Sequence, residues 1–162
     1  MPMTATTARE LLVAAAGVSG LLAGASADRY IVQVPAWRRL DVMTWAEHSR
    51  HADLSNGRFW YPGLAFGATG LSIACALAIR QGALVAVGLA LPVYLAALLS
   101  VLGLGMTLLA APNLLRLREP KDEATTRASF RAFHRWGLVR AVLQVLAFPA
   151  NLWALCVLVR VS

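Results

Sequence analysis

Four stretches of this chain carry no charged side chain: Leu11 to Ala27, Phe59 to Ile79, Gln81 to Leu115 and Ala141 to Val159. About 20 apolar residues in a helix cross the hydrocarbon core of a bilayer, which is roughly 30 Å thick. Hydrocarbon offers no partner to a free N–H or C=O, so each run must close its own hydrogen bonds as a helix. In 162 residues, 59% are hydrophobic and 14% charged, well below the charge of an ordinary soluble domain. The pattern predicts a single all-α integral membrane domain, a four-helix up-down bundle. Its transmembrane helices are expected near 9–28, 62–80, 83–111 and 136–160, with polar loops at 29–61 and 112–135.

The short break Arg80-Gln81-Gly82 implies a tight hairpin between the second and third helices. Two spans and a turn need more than about 40 residues, so the run from Gln81 to Leu115 reads as one tilted helix. Pro92 is expected to bend it, Pro62 to occupy the first turn of the helix before it, and Pro149 to free the carbonyl of Val145. Ala16, Gly20 and Gly24, and again Gly63 and Gly67, recur at four-residue spacing, which places small residues where helices approach closely. Ala25-Ser26-Ala27 resembles a signal-cleavage site, but Glu10 and the length of the run favour a retained helix.

Charge suggests an orientation. The segments after the first helix and before the last hold twelve of the fifteen Lys and Arg residues; Arg9, Arg80 and Arg160 lie on the other side. The positive-inside rule then puts both long loops in the cytoplasm of a bacterial-type membrane and both termini outside. With a formal charge of +7, the expected partners of these residues are anionic lipid headgroups, not nucleic acid. Cys75 and Cys156 show no metal or redox spacing and read as buried small hydrophobes.

Two polar segments hold the chemistry. In the first loop, Trp37, Leu40, Asp41, Thr44, His48 and His51 would share one face of a helix. His48 and His51 are spaced to meet one ligand, although an interfacial helix with aromatic anchors explains the same pattern without a metal. In the last helix, Trp136, Arg140, Gln144, Ala147 and Asn151 fall on one stripe, most of it inside an apolar span. Such a stripe lines a cavity or bonds neighbouring helices, and Arg140 would also reach headgroups by snorkelling.

The order of these features resembles the anthrone oxygenase-like family (DUF1772) of small four-helix membrane proteins. The resemblance rests on the loop ending Asn56-Gly57-Arg58-Phe59-Trp60-Tyr61-Pro62, on Ala111-Pro112-Asn113-Leu114-Leu115, and on Phe130 to Arg140 opening the last helix. Gly137, Leu138 and Val139 stand where many members carry a His or Asn, and His134 precedes Trp136. The resemblance implies a cofactor-independent oxygenase that acts on a polycyclic phenolic or anthrone-like substrate with molecular oxygen and no metal. On that reading His48 is the base, since imidazole titrates near neutrality, with His51 and His134 in reserve. Arg140 would stabilise the substrate anion, Asn113 and Gln144 would orient its carbonyl, and Trp45 and Trp136 would offer flat surfaces, with Asn151 deeper on the stripe. The alternative is a non-enzymatic membrane protein that acts by helix packing, by assembly with itself or a partner, or by solute passage. No internal repeat of the transporter kind is visible.

Overall fold

The computed structural model describes residues 5–83, 88–119 and 122–161. Among them there is no strand. Four long helices, each apolar enough to cross a membrane, form the bundle: α1 (Ala5–Asp28), α4 (Gly57–Arg80), α5 (Ala90–Leu115) and α6 (Glu123–Val161). They pack in a closed ring, α1 against α4, α4 against α5, α5 against α6 and α6 back against α1. One apolar cluster joins Leu12 and Ala15 of α1 to Cys75 of α4, Val93 of α5 and Ala154 of α6. The start of α1 therefore meets the end of α4, as an up-down arrangement requires. Leu21, Leu98, Leu108, Val142 and Leu146 stay exposed, as expected of helix faces turned to lipid.

All four of the expected helices begin or end elsewhere. The first does not stop at residue 28. It continues through a π-helical turn (Arg29–Gln33) into α2 (Val34–Trp37), because charge ends a hydrophobic run without ending a helix. The second begins at Gly57, so Pro62 lies beyond its first turn and supplies no N–H to the carbonyl of Arg58. The last begins at Glu123, thirteen residues before the expected 136, and 39 residues at about 1.5 Å each far exceed the hydrocarbon thickness. Its polar beginning is set by Asp122, whose Oδ1 accepts from the Thr125 N–H (2.9 Å) and whose Oδ2 accepts from the Thr125 hydroxyl (2.7 Å). Those two bonds hold the Asp122 carboxyl below the usual carboxylate range. The cap is intact above that range and is lost as acid protonates the group.

The second helix ends at Arg80 as expected, but the next does not follow within the three-residue break Arg80-Gln81-Gly82. Gly82 adopts φ 73°, its N–H bonds the carbonyl of Ile79, and the Ala83 N–H bonds that of Ala78, the double contact of a Schellman cap. The next helix starts at Ala90, later than the expected 83, and the part of that expectation falling on 84–87 lies outside the described residues. Pro92 thus sits in a first turn, where its missing N–H costs nothing and no bend is required. The interfacial helix of the first loop is α3 (Val42–His51), capped by the Asp41 carboxylate on the N–H groups of Met43 and Thr44. It buries Val42, Trp45, Ala46 and Ser49, while Thr44, His48 and His51 face outward. Cys75 is buried as expected, but Cys156 is exposed on α6.

Of the small-residue positions, Gly20 lies under the ring of Phe148 and Gly67 beside Val18, whereas Gly24 and Gly63 border open space. The closest approach was not foreseen. A Cβ at Gly137 would collide with the hydroxyl of Tyr30, which donates to the carbonyl of His134 (3.3 Å). Gly137→Ala should therefore lower thermal stability in detergent by roughly 1–3 kcal/mol, as overpacking does. Adding Tyr30→Phe should restore most of the loss, and failure of that rescue would place the strain elsewhere.

Candidate functional site

At the end of the bundle where α1 and α5 finish and α4 begins, the helices enclose a cavity of about 350 Å³. Its walls are mainly apolar, with Leu22, Ala25, Pro62, Ala65, Ala111, Leu114 and Phe133 among them. Four arginines also line it: Arg29, Arg58, Arg118 and Arg140, one from the boundary of each apolar run. Among the described residues Asp53 is the one carboxylate in the lining, which leaves an excess of three positive charges there. Among the described residues, no carboxylate lies in ion-pair range of Arg58, Arg118 or Arg140.

Arg29 is the centre of this arrangement. The spacing of Ser19, Leu22, Ser26 and Arg29 carries one inward face of α1 into the π turn, a local departure often found at functional sites. The Arg29 guanidinium, 5% exposed, donates to Oδ1 of Asp53 (2.5 Å), which is itself 4% exposed. The ring of Tyr61 lies 4.4 Å from the guanidinium carbon and that of Trp37 5.6 Å away, so two aromatic faces hold the cation as well. Desolvating such a pair costs several kcal/mol per ion, which the mutual attraction offsets only with good geometry. Here Oδ2 of Asp53 is buried with no hydrogen-bond partner among the described residues. Arg140 lies within electrostatic reach of Arg29, Asp53, Tyr30 and Tyr61, and its guanidinium carbon is 6.0 Å from the Phe133 ring.

The residues expected to form one site are divided among several places. Arg140 and Gln144 line the cavity; His48, Asn113, Trp45, Trp136, His51, His134 and Asn151 do not. His48 lines a separate hollow, its ring tilted against Trp37 at 6.0 Å. His51 pairs with Glu47 (2.8 Å) on the outer surface of α3. No group of three or more His, Cys, Asp or Glu side chains able to hold a metal occurs among the described residues. His134 is stacked between Tyr30 and Phe130, with its Nε2 2.7 Å from Arg38. Trp45 is buried edge-on against Phe130 and borders another hollow, beside Trp37 and Arg127, away from this cavity. Trp136 packs beside the same cluster under Arg135. The Asn113 amide bonds back to the carbonyl of Leu109 on its own helix.

The stripe on α6 therefore has two functions. Asn151 donates to the Ser19 hydroxyl (3.2 Å) and to the Ala147 carbonyl (3.1 Å), holding α6 to α1. Gln144 accepts from Ser26 (2.6 Å) and also faces the cavity. Comparison of the chain with family models, with curated proteins and with solved structures gives no match.

Asn151→Leu should lower the stability of the bundle by roughly 1 kcal/mol, the scale of interhelical hydrogen bonds in membranes, and leave ligand binding in the cavity unchanged. Gln144→Leu should impair both. Unfolding in detergent and a binding titration on each variant check the division.

Proposed function

We propose that the cavity binds a small, flat, apolar molecule carrying an oxyanion, taken up at one face of the membrane. The observation that carries this reading is the set of four arginines around apolar walls with a single carboxylate to balance them. An apolar pocket with a few placed charges binds amphipathic ligands, and the low dielectric of a bundle interior strengthens each charge contact. The basic loops favour a cytoplasmic position for this end of the bundle, in a bacterial-type membrane.

The enzymatic form of the proposal is the cofactor-independent oxygenase that the family resemblance implies. Arg29 and Arg140 favour the enolate of an anthrone-like substrate over its neutral form, because a nearby cation stabilises the anion. The proton leaves the substrate methylene for water, which removes the need for His48, outside this cavity, to act as the base. The carbanion transfers electrons to oxygen and forms a carbon–oxygen bond, giving a peroxide. Loss of the second methylene proton then breaks the oxygen–oxygen bond, leaving a ketone and one molecule of water. Gln144 is placed to orient the substrate oxygen while it remains bonded to Ser26.

Anthracene-9-carboxylate tests the binding site directly, with uncharged anthracene as the control. The purified protein in detergent should bind the acid in clear preference to the hydrocarbon. Arg140→Gln should weaken that binding by roughly tenfold to a hundredfold, the scale of a charge-assisted hydrogen bond. Equal affinity for both probes would overturn the anion reading. Oxygen uptake with a hydroxyanthrone, corrected for its spontaneous oxidation, separates the enzyme from a non-enzymatic carrier of the same anion.

A further inference from the structure

The main cavity has a neighbour of about 560 Å³, and the two share Arg29, Asp53, Gly57 and Tyr61 as a common wall. The Arg29–Asp53 ion pair is thus a partition between two spaces. On the side of the first loop the second space is lined by His48, Trp37 and Trp60. We propose that the ligand's oxyanion binds Arg29 in the place Asp53 now holds, so that Asp53 is an internal stand-in which the ligand displaces. The proposal rests on the reading of the main cavity as an anion site, and it makes Asp53 the residue that sets how strong an anion the site demands.

The geometry of the pair is that of a substitute. A guanidinium presents five N–H donors and takes a carboxylate best through two parallel bonds. Arg29 makes a single contact with Asp53, and the second carboxylate oxygen is buried without a hydrogen-bond partner among the described residues. The backbone settings also differ. Asp53 stands in the turn between α3 and α4, whereas Arg29 is held on a continuous helix between the rings of Tyr61 and Trp37. When the carboxylate leaves, the aromatic faces keep the guanidinium in position. Those rings already hold Arg29, so the same wall is not a cage for an organic cation. The incoming anion also supplies negative charge to a cavity where Arg140 has no carboxylate in ion-pair range among the described residues.

The test uses anthracene-9-carboxylate with the full-length protein in detergent. An internal competitor lowers apparent affinity by the fraction of protein it blocks, so Asp53→Asn should bind the probe about tenfold more tightly than the wild type. The probe should also raise the melting temperature of Asp53→Asn more than that of the wild type. Arg29→Gln should bind at least roughly tenfold more weakly, and Arg29→Gln with Asp53→Asn should not recover. If the wild type prefers the carboxylate and Arg140→Gln weakens it, but Asp53→Asn binds equally or more weakly, displacement is wrong while the anion site stands. If the wild type shows no preference for the carboxylate, the anion site itself fails. Should Asp53→Asn not fold, infrared difference spectra of wild-type protein with carboxyl-labelled aspartate decide the matter. Saturating probe should shift an aspartate carboxylate band that Asp28→Asn, Asp41→Asn and Asp122→Asn variants all retain, and no shift overturns the proposal.

Discussion

Hydrocarbon gives four apolar helices no reason to prefer one another to lipid, so contacts other than hydrophobic burial must hold this bundle. Two means are visible. Small residues let backbones approach, most closely at Gly137 against Tyr30 and at Gly20 under Phe148. Buried polar side chains then bond across the gaps: Ser19 with Asn151, Ser26 with Gln144, and Thr69 with the Ser100 carbonyl. The contacts between α1 and α6 climb the bundle from its middle toward the charged end. The cavity opens where that ladder stops and the arginines begin.

A membrane boundary sorts charge, and this explains why four arginines meet. Each flanks an apolar run, and antiparallel packing brings the end of α1, the start of α4, the end of α5 and the middle of α6 to one level. Guanidinium groups there have two options, to reach outward to headgroups or to turn inward. Arg29 turns inward, at the π turn, where Asp53, Tyr61 and Trp37 replace the water it gives up. Among the described residues, a single carboxylate lines the cavity beside four cations, which leaves an excess of positive charge there.

Much of the fold was legible from periodicity and charge. The four spans, the end of α4 at Gly82, the interfacial α3 and the inward stripe from Arg140 to Asn151 are all in the chain's pattern. Helix ends were not, because hydropathy marks where a helix leaves the membrane and not where its hydrogen bonds stop. Thus α6 extends back to an Asp122 cap and α1 forward to Trp37. In the sequence Arg29 is one of five arginines between the first two apolar runs, and charge alone does not set it apart. The spacing Ser19, Leu22, Ser26, Arg29 on α1 mirrors the stripe on α6 and would have revealed it. The histidines drew attention by residue type, but α3 packs by its apolar face, which turns His48 and His51 away from the bundle interior.

The sequence by itself determined four apolar spans and a one-sided distribution of arginine, because bilayer thickness and the cost of charge in hydrocarbon act on residue order alone. Only the tertiary structure decided which polar groups face one another. Asp53 meets Arg29 across 24 positions of chain, and Ser26 meets Gln144 across 118. Such pairings depend on helix rotation and on where a helix departs from regular winding, as at Arg29–Gln33. Those are set by packing between helices, which no run of residues specifies locally.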